Sequence, residues 1–388
     1  MSLKLGTTTT IVVSSREIVK EFFSKHDVSF SGRSVPYVAT AHDHYKHAMG
    51  WSQVGDHWRM LRKIYKEHLF AARQLDASHL LRKKKYDSQS SQDFMDLVWL
   101  LFENAGRPNL ADFFPVLRPL DPHGLLRKAK LYTGKLLAIV EEYISKRLQE
   151  RTATSSSDAS SSKDLMDLLL DMSQNEKSSI NLVGIRYLVF DLFIAGTETT
   201  SSTLEWAMAE LINNPEKMSK ARSELEEVIR KEDRTFEESD IARLPYLQAV
   251  VKETLRLHPP VTFLLPHKAT TNVEVQGYIV PKDAQILCNL WAMGQDSNVW
   301  PNAQRFEPER FLDVGIDYKG HDFELIPFGT GRRMCPGLPL ADRMLHLMLG
   351  SLIYKFDWKI KGGMMDMSDK FGMTLQKNLP LMAIPVKV

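Results

Sequence analysis

The residue with the clearest chemical setting in this chain is Cys335, in the run Pro327-Phe328-Gly329-Thr330-Gly331-Arg332-Arg333-Met334-Cys335-Pro336-Gly337. Three glycines in so short a span permit torsions and close backbone approaches that side chains forbid. The cysteine then precedes a helix-like stretch, where free backbone N–H groups and the positive end of a helix dipole favour a thiolate. Such a thiolate is a soft, electron-rich ligand suited to haem iron, and Arg333 could reach a haem propionate. The other cysteine, Cys288, sits in an apolar strand-like run and reads as a small core residue.

Further constellations surround that loop in the sequence. Ala195-Gly196-Thr197-Glu198-Thr199-Thr200 interrupts a long helical pattern with a small pair and a run of hydroxyls. Glycine inside a helix costs about 1 kcal/mol relative to alanine, so it asks for a reason. Either a neighbouring helix packs closely there, or the position makes room for a diatomic ligand while threonine hydroxyls divert backbone bonding. With the cysteine loop present, the second is the expectation. Glu253-Thr254-Leu255-Arg256 sets an acid and a base on one helical face, and Trp58 and Arg62 stand one helical turn apart.

The elements that must position these groups are mainly helical. A short strand is expected over 5–13, helical spacing at Val19, Phe22 and Phe23, and a helix over 56–65. Apolar residues recur from Leu182 to Leu211, and Asn213-Asn214-Pro215 ends that run. Some thirty residues of helix would be about 50 Å long. Residues 151–164 are serine-rich and read as a surface loop. A hairpin pattern follows at Val273 and Val275 and at Tyr278-Ile279-Val280, with a further strand over 286–290. The last long helix begins after Pro336.

Of the 388 residues, 43% are apolar and 25% charged, a globular balance with enough chain to bury a core around a bulky cofactor. A formal charge of +2 gives no reason to invoke nucleic acid. Two cysteines exclude a disulfide framework and point to a reducing compartment. The start of the chain lacks signal-peptide features, and no apolar run approaches the roughly 20 residues of a membrane span.

Phe328, Gly331, Arg333, Cys335 and Gly337 fill Phe-x-x-Gly-x-Arg-x-Cys-x-Gly, and here the chain resembles the haem-binding signature of the cytochrome P-450 family. The 195–200 run is similar to that family's oxygen-activation motif. Lys25-His26-Asp27-Val28-Ser29-Phe30, the 109–119 segment and Leu244-Pro245-Tyr246-Leu247-Gln248-Ala249-Val250 look like the plant microsomal, terpenoid-hydroxylating branch of geraniol 8-hydroxylase and ferruginol synthase.

The resemblance covers essentially the whole chain and implies a mainly α fold with a minor sheet, one cytochrome P-450 domain over 1–388. It implies haem b as cofactor, with Cys335 as iron ligand. It assigns Glu198 and Thr199 to delivery of protons to dioxygen, and Glu253, Arg256 and Arg310 to a structural lock. Trp58, Arg62, Phe328, Gly331, Arg333 and Gly337 would bind haem, and His267 stands where the family has a propionate-binding arginine. Phe190, Phe193, Val261, Phe263, Leu264, Leu265 and Met373 are an apolar pocket set suited to a mono- or diterpenoid. Dioxygen, that substrate and NADPH-cytochrome P-450 reductase are the implied partners, with the reductase docking on Arg59, Lys63, Arg82-Lys83-Lys84-Lys85 and Arg332. A monomer on the cytoplasmic face of the endoplasmic reticulum, without nucleic acid, completes the picture.

Two departures modify it. The family's anchor helix, hinge and first strand are not found, and a gap falls near Lys85-Tyr86, where relatives carry further helices before the long one. The chain is thus roughly a fifth shorter than the family leads one to expect. The expectation is an incomplete cytochrome P-450 fold acting as a monooxygenase; the alternative is a truncated, inactive relative or a haem binder without turnover.

Overall fold

The computed structural model describes residues 1–71, 75, 88–154, 165–174, 180–230, 236–363 and 365–387. The basic run at 82–85, the junction at Lys85-Tyr86 and residues 155–164 of the serine-rich stretch lie outside them. The chain forms two compact units, one of Met1–Leu3, Thr9–Ser31 and Thr199–Val388, the other of Lys4–Thr8 and Gly32–Glu198.

The first unit carries the cysteine loop. Its main core gathers Leu211, Leu225, Leu247, Val250, Leu255, Leu349 and Ile353. These come from helices Pro215–Arg230, Pro245–Leu257 and Leu338–Lys355 and from the last turn of the long helix. Pro215 and Pro245 open their helices, where a missing N–H costs nothing and φ is already helical. Gly337 caps Leu338–Lys355 at its start, with a proline in the first turn.

A second core lies against a small sheet. Thr10 to Val13 run parallel to Gln285–Cys288, bringing Val13 opposite Cys288, and His267 pairs antiparallel with Ile286. Cys288 is buried there as an apolar residue would be. Phe22 and Phe30 stack with centroids 4.2 Å apart in this core.

Four local expectations need correction. The 5–13 strand is two strands, Ser2–Leu5 and Thr8–Val13, because Gly6 turns the chain at φ +57°. The hairpin closes as expected, Val273 opposite Val280, but Gln285–Cys288 leaves it for the other sheet. Helical spacing past Ile64 continues as a π-turn, Tyr65–Leu69.

The fourth correction falls in the second unit, where the helix Leu125–Thr154 runs four residues into the serine-rich stretch. Its end is held by charge: Arg147 pairs with Asp167 at 2.6 Å, and Arg151 pairs with Asp171 of helix Leu165–Gln174. The long helix, Leu182–Asn213, spans 32 residues and stops before Pro215 as expected. No helix among the described residues is long and apolar enough to cross a membrane.

Candidate active site

The cysteine loop is shaped by short-range bonds and glycines. Gly329 N–H donates to the Ile326 carbonyl at 2.9 Å, and Cys335 N–H to the Phe328 carbonyl at 2.8 Å. Gly329 and Gly331 lie at φ +70° and +63°, torsions that cost L-residues about 1–2 kcal/mol each. Gly331 is doubly required, since an added Cβ would stand 2.5 Å from Asp27 Oδ1. The loop delivers an exposed thiol, outside any disulfide, just ahead of the Leu338–Lys355 helix.

The segment 27–31 braces this loop from outside it. Asp27 accepts the Arg332 backbone N–H at 3.1 Å and pairs with the Arg332 guanidinium at 2.7 Å. Arg333 Nε donates to the Ser31 carbonyl at 2.9 Å. His267 Nδ1 donates to the neighbouring carbonyl, Phe30, at 2.8 Å, and its ring meets Phe23 edge-on at 4.9 Å. Arg333 and His267 thus converge on consecutive carbonyls. Asp27 and Ser31 carry no local signal of this role, being some 300 residues from the cysteine.

The pocket set divides by unit. In the first, Val261, Phe263, Leu264 and Leu265 form a half-buried loop after helix Pro245–Leu257. Leu375 N–H donates to the Pro260 carbonyl at 2.9 Å and Phe263 meets Phe371 at 6.0 Å, so half-buried Met373 shares their neighbourhood. Leu264 holds φ +54° and packs on Gly329, 3.9 Å from where a Cβ would be. In the second unit Phe190 is a core residue, 1% exposed and edge-on to His44 at 5.0 Å. Phe193, 36% exposed, meets Phe94 at 5.7 Å. Trp58 is buried and Arg62 half-buried, one turn apart on helix Asp56–Ile64.

Glu198 is buried on the long helix and Thr199 is half-buried beside it. The Thr203 hydroxyl donates to the Thr199 carbonyl at 2.8 Å, the bonding that loosens a helix locally. An added Cβ at Gly196 would meet nothing within 4 Å. That holds among the described residues, where no neighbour packs closely on this glycine.

Behind the loop, Glu253 and Arg256 are wholly buried, with Nε to Oε2 at 2.7 Å. Arg310 joins them, Nε to Glu253 Oε1 at 3.0 Å. Glu253 and Arg256, one helical turn apart, thus form one network with Arg310, more than fifty residues further along the chain. Glu309 beside them is held at about 2: burial would raise it, but hydrogen bonds from Lys217, Lys220 and Tyr246 outweigh that.

A family model described as cytochrome P-450 matches residues 77–384. The chain is 48% identical to cytochrome P-450 76T24 of Catharanthus roseus, covering 100% of this chain and 86% of that protein. It is 44% identical to a geraniol 8-hydroxylase of the same plant, covering 99% and 86%. A solved zebra fish cytochrome P-450 with progesterone matches at TM-score 0.79 over 100% of this chain and 96% of that one; at 23% identity this speaks to the fold. Matches of this extent place the chain in a family of haem-thiolate oxidoreductases. The chain belongs to the cytochrome P-450 family, and it is a monooxygenase. The alignment with the first relative runs over 435 positions against 388 residues here, so at least 47 of its positions are gaps in this chain.

The residues present fit a haem. An exposed thiol stands at the end of a loop shaped by left-handed glycines. Half-buried apolar side chains at 261–265 supply the non-polar surroundings such a macrocycle needs.

Proposed function

We propose that this chain hydroxylates a small terpenoid, using dioxygen and electrons from NADPH-cytochrome P-450 reductase at the cytoplasmic face of the endoplasmic reticulum, with haem b held by Cys335. The observation that carries the reading is the exposed Cys335 thiol in a glycine-shaped loop ahead of a helix, in a chain of this family. Haem b, when bound, supplies the one-electron chemistry by which one oxygen atom enters a C–H bond. Trp58, Arg62, Arg333 and His267 hold its propionates in this reading, and Phe328, Gly331 and Gly337 shape the thiolate's seat. His267 Nδ1 is committed to the Phe30 carbonyl. Glu198 and Thr199 hold and move protons, and Glu253, Arg256 and Arg310 brace the core behind the loop. Val261, Phe263, Leu264, Leu265, Phe193 and Met373 exclude water from an apolar substrate. A terpenoid is favoured because relatives are named geraniol 8-hydroxylase and, at 40% identity, ferruginol synthase of Salvia pomifera.

Two measurements test this. Reduced protein with carbon monoxide should show a strongly red-shifted Soret band, which Cys335→Ser should lose. Purified reductase with geraniol-type monoterpenols and abietane-type diterpenes should give a hydroxylated product. The gap positions, at least 47 in all, favour a second reading, haem binding without turnover. A red-shifted band with no product from any substrate would select it.

A further inference from the structure

Resting on the assignment of Cys335 as iron ligand, we propose that Tyr318 and Asp342 are positioning residues that clamp the base of the cysteine loop and keep its thiolate in place. The chain segment before the loop lies along it at three points. The Tyr318 ring packs on the Phe328 ring, centroids 5.5 Å apart. The Thr330 hydroxyl donates to the Gly320 carbonyl at 2.6 Å. Gly320, at φ +85°, passes so near that an added Cβ would be 3.0 Å from the sulfur of Met334, the residue before the cysteine.

The clamp closes on the other flank. The Tyr318 hydroxyl donates to Asp342 Oδ1, on the helix Leu338–Lys355 that follows the cysteine. Tyr318 is 4% exposed; burial, then the Asp342 charge, pushes its hydroxyl well above the ordinary tyrosine range, so it remains a donor. His346 flanks Asp342 on the same helix. Its Nδ1 donates to the Asp342 backbone carbonyl at 2.7 Å and lies 3.3 Å from the carboxylate, while Nε2 has no hydrogen-bond partner among the described residues. Burial would raise the Asp342 carboxyl, but hydrogen bonds from His346 and Tyr318 bring it below the ordinary aspartate range, so the bond from Tyr318 is a charge-assisted tie between the loop's two flanks. The loop cannot open without breaking it.

The test compares Tyr318→Phe, which keeps the ring and drops the hydroxyl, Asp342→Leu, which drops the acceptor, and Asp342→Asn, which keeps one. Each is loaded with haem, and the reduced carbon monoxide spectrum is followed over hours beside the melting temperature. Tyr318→Phe and Asp342→Leu should lose the red-shifted band to the ordinary position about tenfold faster than the unaltered chain, the scale of one hydrogen bond to a carboxylate. Asp342→Asn should stay close to the unaltered rate. Unchanged rates in both damaged variants, or rates that merely track melting temperature, would overturn the clamp alone. An unaltered chain that binds haem with an ordinary band would overturn the Cys335 assignment, and the clamp's role with it.

Discussion

Removing Glu253 should cost this protein more than removing either arginine partner's outer contact, and the structure says by how much. Glu253 accepts four N–H groups: Arg256 Nε at 2.7 Å and Nη2 at 2.8 Å, Arg310 Nε at 3.0 Å, and the Glu307 backbone at 2.8 Å. Arg256 spends its other donors on the carbonyls of Gly294, Ala303 and Arg305, which satisfy hydrogen bonds but not charge. Glu253→Ala therefore strands a buried guanidinium, a loss of about 3–5 kcal/mol, against a typical net stability of about 5–15 kcal/mol. Arg310→Ala leaves the Glu253–Arg256 pair intact and should cost about 1–3 kcal/mol. Urea unfolding read by tryptophan fluorescence is the assay, since Trp300 lies 5.7 Å from the Arg256 guanidinium and senses the network directly. A shift of less than about 1 kcal/mol for Glu253→Ala, or a larger loss for Arg310→Ala, would refute a buried charge pair at the centre of the network.

Two other outcomes follow from the same kind of accounting. Glu309 is depressed to about 2 from an ordinary 4.5, so its contribution is present above 4.5 and fades as pH falls toward 2. Glu309→Gln should therefore lose stability relative to the unaltered chain at pH 7 and close that gap in acid, as melting temperatures across pH 2–7 would show. Gly196→Ala adds a methyl where nothing among the described residues stands within 4 Å. It should stabilise the helix by about 1 kcal/mol yet lower turnover, and equal or higher turnover would show that the open space serves no reactant.

The sequence made legible what local patterns encode. The glycines around Cys335, the helical period of 182–213 and the shared face of Glu253 and Arg256 all appear where spacing put them. Legibility fails where the determining contact is distant. Nothing near Asp27 signals that its carboxylate receives the Arg332 N–H, and nothing near Tyr318 signals Asp342, because neither pair shares a periodicity. Gln285–Cys288 reads as the next strand of a hairpin, yet its edge goes to Thr10–Val13, a pairing chosen by burial of Ile286 and Cys288. The helix to Thr154 outlasts its own propensity because arginines on it find Asp167 and Asp171. His267 reads as a substitute propionate anchor, while the structure shows one of its two nitrogens already committed to a backbone carbonyl.

These distant contacts have a common consequence for the cysteine loop. Gly329 and Gly331 adopt left-handed torsions, and Leu264, which packs against Gly329, does so without being a glycine. A leucine there costs about 1–2 kcal/mol, and such torsions persist only where surroundings over-determine them. Here the surroundings are the 27–31 segment, the Tyr318–Gly320 stretch and the helix bearing Asp342. All three grip the loop's backbone or flanks. Loss of any one of these polar ties should relax the loop before it unfolds the core, because the apolar cluster, which includes the Tyr318 ring and packs on Phe328, keeps its contacts. A weakened support should therefore appear first as a change in the haem spectrum, at nearly unchanged melting temperature; damage to the Glu253 network should lower both together.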